Sequence, residues 1–87
     1  MSVKLLVLRS YEDVIAEVAE EFVGDSVSRY VLSVPYITRL NEDKIEFYPY
    51  IPLSKDKTIS IPADWVVTIV EPLDEVRDAY LERMSLK

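Results

Sequence analysis

Apolar and polar positions alternate along much of this chain, and the alternation predicts a domain built mainly from short strands. Residues 3–9 begin with the apolar run VKLLVL, which has strand length and two apolar faces, as in a strand covered on both sides. Residues 27–38 alternate with a period of two and predict a strand that is bent or interrupted at Pro35. The residues predicted to share one face of this strand are Tyr30, Leu32, Val34 and Tyr36.

A polar turn separates this strand from the next one. The chain has only one Gly, so Asn, Asp, Pro and Ser must form its turns, and NEDK at residues 41–44 has that composition. Residues 44–61 then alternate, but Pro49 and Pro52 limit the ladder hydrogen bonds that this segment can form. The segment is therefore predicted as a strand that is bent or split and lies at an edge or a sharp bend.

The C-terminal part of the chain predicts one strand and one helix. Residues 65–71, which begin with WVVTIV, predict a short strand that follows a tight connection and ends before Pro72. Residues 74–85 predict a helix, because Asp74 can cap its N-terminus and one stripe of it is largely apolar. That stripe consists of Val76, Ala79, Tyr80, Arg83, Met84 and Lys87.

The segment SYEDVIAEVAEEFVG at residues 10–24 fits either a helix or a strand. Its apolar residues recur at intervals of three and four, Ser10 with Asp13 resembles a capping box, and Gly24 occupies the position of a C-terminal cap. In a strand, most of its apolar residues would share one face, although Glu20 would interrupt that face. The pattern alone favours the helix, so the choice depends on the rest of the chain.

Composition limits the functions that this chain of 87 residues, which we treat as one domain over residues 1–87, can perform. Ten Lys and Arg against sixteen Asp and Glu give a net charge of −6, so DNA binding and nonspecific nucleic-acid binding are not expected. There is no Cys and no His, which removes thiolate metal sites and the commonest general base. The run LLVL at residues 5–8 is too short for a signal peptide or a membrane span, so we expect a cytoplasmic protein without a membrane partner.

Two groups of residues have spacings that are shared with a known family. The first group is Leu8, Arg9, Ser10, Tyr11, Val14, Ala16 and Val18, and the second is Ile61, Pro62, Ala63, Asp64, Val66, Val67 and Ile69. These spacings resemble the two motifs of the Sm-like proteins, and in particular those of the compact Sm-like proteins carried by tailed phages of cyanobacteria. The resemblance covers residues 3–71. Tyr11 and Ala16 replace the two glycines of the first motif, and the helix follows the last strand instead of preceding the first.

The resemblance implies a mainly β fold, namely a strongly bent five-stranded Sm-like (SH3-like) barrel with a C-terminal helix. In such a fold residues 13–23 form a long bent strand rather than a helix. The β-branched residues Val14, Ile15 and Val18 support this strand independently. The strand at residues 3–9 also needs a partner strand, and the next segment along the chain can supply it with the shortest connecting loop. If the chain is phage-encoded, the expected location is the host cytoplasm.

Sm-like subunits form rings by pairing the fourth strand of one subunit with the fifth strand of the next, so the resemblance implies a homo-oligomer of five to seven subunits. Segments 45–53 and 65–70 would supply these strands. The residues predicted at this interface are Phe47, Tyr48, Tyr50, Trp65, Val67 and Ile69. Pro49 and Pro52 allow the pairing only if their nitrogen atoms, which carry no hydrogen, face away from the neighbour.

Sm-like rings bind RNA by stacking a base on a loop side chain, hydrogen-bonding it to an Asn and supporting it with an Arg. The loop at residues 24–26 lacks this pattern and Pro62 occupies the position of the Arg, so the family's uridine pocket is not expected. A different RNA contact is predicted from aromatic residues beside cations, namely Tyr48, Tyr50, Lys55 and Lys57. The tyrosines could instead cover the core or a subunit contact, and the lysines could simply keep a turn soluble.

No group of residues predicts catalysis, because no carboxylate pair is accompanied by His, Cys, a nucleophile motif or a phosphate-binding Gly loop. Glu17, Glu20 and Glu21 could attract Mg²⁺, but a solvated acidic strand has the same sequence, so we predict no metal site and no cofactor. We therefore predict a noncatalytic, ring-forming scaffold or adaptor with RNA as a candidate ligand. The alternative is a monomeric SH3-like module that binds a peptide through its tyrosine-bearing strand.

Overall fold

The computed structural model describes residues 2–85 and shows a mainly β fold with one C-terminal helix. The strands are β1 (Ser2–Leu8), β2 (Asp13–Val23), β3 (Ser26–Asn41), β4 (Lys44–Pro49), β5 (Thr58–Pro62) and β6 (Val66–Val70). A short 3₁₀ turn, Ala63–Trp65, joins β5 to β6, and the helix α1 spans Asp74–Ser85. The predicted β class and the predicted C-terminal helix are therefore confirmed.

Two segments whose structure the sequence left open are now decided. Asp13–Val23 is a strand, so the strand predicted over residues 13–23 is confirmed and the helix that the local periodicity favours is wrong. Residues 44–61 do not form one continuous strand, because residues 50–57 leave the sheet between β4 and β5. The sheet therefore has six strands rather than the five that were predicted, and the split falls in the segment that contains both limiting prolines.

The strands form one antiparallel sheet in the order β4-β3-β2-β1-β6, and β5 pairs with β3 outside this sequence. The 16 residues of β3 allow it to serve two partners besides β2. Residues 29–33 of β3 pair with β5, and residues 36–41 pair with β4. The two halves of β3 thus belong to two parts of the sheet, which meet at residues 34–35.

A β-bulge marks the point where these two parts meet. Ile15 of β2 faces Tyr36 of β3, and Glu17 of β2 faces Ser33. One residue of β2 lies between the two pairs but two residues of β3 do, so β3 carries one extra residue there. Val34 has a positive φ of 49° at this point, which β-branched residues rarely adopt, and Pro35 follows it. The interruption predicted at Pro35 is therefore confirmed.

The extra residue in β3 changes which face its side chains occupy. Tyr30 and Leu32 pack in one hydrophobic core, whereas Val34 and Tyr36 pack in the other. The prediction that these four residues share one face is therefore wrong, because a shift of one residue moves every following side chain to the opposite face.

Each face of the sheet has its own hydrophobic core. The buried residues of the inner core are Leu6, Leu8, Val14, Ala16, Leu32 and Ile61. The buried residues of the outer core, which lies under α1, are Ile15, Tyr36 and Tyr80. β1 contributes to both cores, since Leu6 and Leu8 lie in the inner core and Leu5 packs against the outer one, so its two apolar faces are confirmed.

The helix α1 is attached to the sheet through Tyr80, whose side chain is fully buried. Its hydroxyl donates to the carbonyl oxygens of Val34 at 2.8 Å and Ser33 at 3.1 Å, so the helix contacts the bulge of β3 directly. The members of the predicted stripe that pack in the outer core are Val76, Tyr80 and Met84, and Lys87 lies outside the described residues. No helix within residues 2–85 is long and apolar enough to cross a membrane.

The hairpin between β3 and β4 turns through Glu42 and Asp43. These residues have φ values of 54° and 47°, and Asn41 pairs with Lys44 on either side of them. Two consecutive residues with positive φ in a two-residue loop indicate a type I′ turn, whose twist matches that of the strands. The polar turn predicted at residues 41–44 is therefore confirmed.

Candidate functional site

Three strands of the sheet, β4, β5 and β6, each pair with only one other strand within residues 2–85 and so keep one unpaired backbone edge. Within residues 2–85 the outer side of β4 pairs with no other strand, and the same holds for the outer side of β6. An unpaired edge presents N–H and C=O groups that can form a ladder with another chain. The edges of β4 and β6 lie in the segments that were predicted to join neighbouring subunits.

The outer edge of β4 has few hydrogen-bond donors. Along an antiparallel strand the backbone groups of alternate residues point towards the partner strand and away from it. The N–H of Tyr50 donates to the carbonyl of Pro35 at 3.2 Å, so the backbone groups of Tyr50 point towards β3. The backbone groups of Ile45, Phe47 and Pro49 therefore face outwards. Pro49 has no N–H, so along Lys44–Pro49 a neighbour can accept hydrogen bonds only from Ile45 and Phe47. The requirement that the Pro49 nitrogen face away from a neighbour is not met, and an intermolecular ladder would end there.

The edge of β6 carries a bulge and apolar side chains. Val7 pairs with Thr68 and Leu8 pairs with Val66, so Val67 is an extra residue in β6. The side chain of Val67 is 64% exposed, and that of Trp65 in the preceding 3₁₀ turn is 40% exposed. β6 therefore combines an unpaired backbone edge with exposed apolar surface.

The six residues predicted at the subunit interface divide into two groups. Tyr48, Trp65 and Val67 have exposed side chains. Phe47, Tyr50 and Ile69 are partly buried and pack against the cores of the subunit itself. The Phe47 ring, for example, lies 6.2 Å from Tyr36 and 6.4 Å from Tyr80 between ring centroids. An edge contact would therefore use the backbone of Phe47 and Ile69 and the side chains of the first group.

The four residues predicted to contact RNA lie in two places. Tyr50, Lys55 and Lys57 line a cavity of about 270 Å³ next to the bulge of β3. Asp56 lines it as well, so the lining has two cations against one carboxylate, and we name it the basic cavity. Tyr48 does not line it. The Tyr48 hydroxyl donates to Oε1 of Glu46 at 2.8 Å, and the guanidinium of Arg39 lies 5.9 Å from the centre of its ring. The structure thus brings together Tyr50 and the two lysines but leaves Tyr48 in a separate cluster.

Tyr48 and Tyr50 are both harder to ionise than a free phenol. The hydrogen bond to Glu46 raises the pKa of Tyr48. Burial raises the pKa of Tyr50, and the nearby carboxylate of Glu12 adds to the effect. Both phenols therefore remain neutral hydrogen-bond donors below about pH 10.

The acidic residues of β2 do not gather into a metal site. Glu20 and Glu21 are exposed neighbours in a strand, so their side chains point to opposite faces, and Glu17 lies on the face of Glu21. Among the residues that the structure describes, no three His, Cys, Asp or Glu side chains are placed to hold a metal ion.

A groove that the sequence did not reveal lies between three segments that are distant along the chain. Residues 10–13 of the β1–β2 turn, residues 37–45 of the β3–β4 hairpin and residues 73–76 at the start of α1 supply most of its lining. Its volume is about 890 Å³, within the range of about 300–1,000 Å³ that is typical of ligand sites. Because four carboxylates line it, we name it the acidic groove.

Tyr11 lines the acidic groove and has an unusual conformation. Its φ is 67°, and its side chain is 91% exposed. The turn around it is fixed by hydrogen bonds from the Tyr11 N–H to the Leu8 carbonyl at 2.9 Å and from the Leu8 N–H to the Glu12 carbonyl at 3.0 Å. The sequence contained no signal for the groove.

Comparison with known proteins gives a family but no activity. No curated protein matches the chain. The sequence model of DUF6561, a family of unknown function, matches residues 1–85, which is nearly the whole chain. The residues of the open edges and of both cavities lie within this matched range. The chain therefore belongs to the family of unknown function DUF6561.

Proposed function

We propose that this protein is a noncatalytic Sm-like protein that assembles into a ring and acts as a scaffold or adaptor. The observation that supports the proposal is that the sheet has two different unpaired sides within residues 2–85. One side is the outer edge of β6, and the other is formed by the outer edges of β4 and β5, which both pair with β3. Pairing between them is heterologous, because the two partners use different surfaces. A heterologous contact returns on itself as a closed ring when the rotation between subunits allows it.

The proposal includes bending of the sheet into a barrel that stays open between β6 and the side formed by β4 and β5, so that these edges can pair with neighbouring subunits. In this arrangement β4 and β5 together take the place of one strand of a five-stranded barrel. Ile61 of β5 and Ile69 of β6 both pack in the inner core, and the 3₁₀ turn Ala63–Trp65 connects the two strands. Arg9 supports this turn, since its N–H donates to the carbonyl of Trp65 at 2.9 Å and its Nε donates to the carbonyl of Asp64.

Assembly must overcome repulsion between copies that each carry a charge of −6. Salt screens exposed charges beyond about 8 Å at about 0.15 M, but it does not weaken apolar contacts. The exposed apolar groups at the two edges include those of Trp65, Val67 and Val70 on one side and that of Tyr48 on the other. We therefore expect the ring to be favoured by added salt, unlike an assembly held by ion pairs.

Oligomeric state tests the ring directly. We would measure sedimentation velocity and native mass spectra of the wild type, of Val67→Lys and of Val23→Lys at tens of micromolar. Val23 is 73% exposed at the tip of the β2–β3 hairpin, so its variant makes the same chemical change away from both edges. We expect a closed ring for the wild type and Val23→Lys, and smaller species for Val67→Lys. A monomeric wild type would overturn the ring and favour the monomeric SH3-like module.

RNA is the candidate ligand of this ring, and the basic cavity is its proposed site. An aromatic ring beside two lysines can stack a base and contact phosphates, and Tyr50, Lys55 and Lys57 provide these groups. We would titrate short U-rich and A-rich oligonucleotides at low salt against the wild type and a double variant, Lys55→Ala with Lys57→Ala. Binding by the wild type that the double variant loses is the expected result. If neither oligonucleotide binds, protein partners alone remain.

A further inference from the structure

The acidic groove exposes more apolar surface than the chain itself uses. Its apolar lining consists of Leu5, Ile37, Leu40, Ile45, Leu73 and Val76. Leu40 is 77% exposed and Leu73 is 71% exposed, although they lie on different elements and face the same groove. Contiguous apolar surface with a polar rim is typical of a site that binds another molecule.

The charges around this apolar surface are almost all negative. Glu12, Asp13, Asp43 and Glu75 line the groove against one cation, Arg39, so the lining has a net charge of −3. Arg39 already lies over the ring of Tyr48. Among the described residues none of the four carboxylates forms a salt bridge, although Oε1 of Glu12 accepts a hydrogen bond from the Ser10 hydroxyl at 2.8 Å. Their negative charges are therefore not paired with a cation of the same chain.

Tyr11 adds an independent indication of binding. A non-Gly residue with positive φ is strained, and such strain is common where a side chain serves a ligand. Gly would adopt the same φ of 67° without strain. The Tyr11 ring is 91% exposed, so it contributes almost no burial within the subunit that would offset the strain. It does provide a large aromatic surface at the groove, and Tyr is enriched in interfaces.

We propose that the acidic groove binds a segment of another protein that carries apolar side chains next to Lys or Arg. The apolar lining and Tyr11 would contact the apolar side chains, and the four carboxylates would pair with the cations. A second copy of this chain is a poor occupant, because its own charge of −6 would be repelled by the rim. Nucleic acid is a poor occupant of the acidic groove for the same reason, because its phosphates are negatively charged. The proposal does not depend on ring formation.

A peptide pair tests the charge preference. The probe is a fluorescein-labelled peptide of about eight residues in which Leu and Lys alternate, and its matched control alternates Leu and Glu; both are extended at about 3.3 Å per residue. Fluorescence anisotropy should show binding of the lysine peptide and binding at least about tenfold weaker for the glutamate peptide. Asp43→Asn should weaken the lysine peptide, whereas Asp25→Asn in the β2–β3 turn should not. Equal binding of the two peptides, or no binding of either, would overturn the proposal.

Tyr11→Gly separates binding from folding. Because Gly relieves the positive φ, thermal unfolding of this variant should occur at the wild-type temperature or above it, while its affinity for the lysine peptide falls about tenfold. Phe22→Ala removes another exposed aromatic ring, 59% exposed and outside the groove, and should not change the affinity. Val67→Lys should bind as well as the wild type, so failure of the ring and failure of the groove are distinguishable. A Tyr11→Gly variant with unchanged peptide binding but a smaller assembly would assign the groove to contact between copies and overturn the proposal.

Discussion

Replacing Tyr80 with Phe removes the hydroxyl that connects α1 to the bulge of β3. The hydroxyl donates to the carbonyls of Val34 and Ser33 at 2.8 and 3.1 Å, and the side chain is fully buried. A neutral hydrogen bond contributes about 0.5–1.5 kcal/mol, and a buried acceptor left without a partner costs about 1–3 kcal/mol. Phe fills nearly the same volume, so no cavity forms. We expect the free energy of unfolding to fall by about 1–2 kcal/mol and Tm to fall by roughly 4–16 °C in a domain of this size.

The same hydroxyl should make stability depend on alkaline pH. Burial raises the pKa of Tyr80 well above its usual value of 10, and the carboxylate of Glu17 raises it further. The folded state therefore holds the phenolic proton more tightly than the unfolded state. This stabilisation is fully present below about pH 10 and is lost as pH rises from there towards the folded-state pKa, with a slope of about 1.4 kcal/mol per pH unit. The Phe variant lacks this contribution, while Tyr50 contributes with the same sign in both proteins.

Urea denaturation between about pH 7 and about pH 11, followed by Trp65 fluorescence and circular dichroism, measures both effects. Tyr48→Phe is the matched control, because Tyr48 is exposed and its hydroxyl bonds only to the Glu46 side chain in the contacts described above. We expect the control to unfold at the urea concentration of the wild type near neutral pH. Equal urea midpoints for Tyr80→Phe and Tyr48→Phe near neutral pH would refute the role assigned to Tyr80. So would a free energy of unfolding that falls equally steeply with alkaline pH in the wild type and in Tyr80→Phe.

Two further substitutions test the turn and the inner core with the same denaturation curves. Asp43→Gly should raise the free energy of unfolding by about 0.5–1 kcal/mol, because Asp43 has a φ of 47° that Gly adopts without strain; a lower urea midpoint would contradict the type I′ turn. Leu32→Ala should lower it by about 3–5 kcal/mol, because Leu32 is fully buried in the inner core. Leu53→Ala, at a side chain that is 98% exposed, should leave the curve unchanged, and an equal loss in both variants would contradict the placement of the core.

Local patterns predicted the elements that have one buried face. The helix α1 is of this kind, since Val76, Tyr80 and Met84 of its predicted stripe pack in the outer core. The turn at residues 41–44 is fully exposed and was predicted from its polar composition instead.

The segment at residues 10–24 shows where a local pattern fails. Val14, Ile15 and Ala16 are all fully buried, with Val14 and Ala16 in the inner core and Ile15 in the outer one. A strand between two cores can bury three consecutive residues, whereas an amphipathic helix buries one stripe.

The features that could not be predicted depend on contacts between distant parts of the chain. The bulge at Val34 follows from the register that β2 imposes on β3, and the alternation of β3 alone did not reveal it. Phe47 is predicted at an interface because the resemblance to Sm-like proteins places its strand there, but its ring packs in the outer core with Tyr80 of α1. The acidic groove requires three segments to meet, and no single one of them has a pattern that indicates a site.

The position of β1 inside the sheet has a consequence for how the chain folds. β1 is the first strand in sequence, yet it lies between β2 and β6, and its pair Leu5–Val70 joins residues that are 65 positions apart. Closing so long a loop is slow, because its entropy is lost before the contact forms. Until β6 arrives, the apolar run VKLLVL has an open side on which another nascent chain can pair. Misfolding and aggregation should therefore begin from species in which β6 has not yet docked.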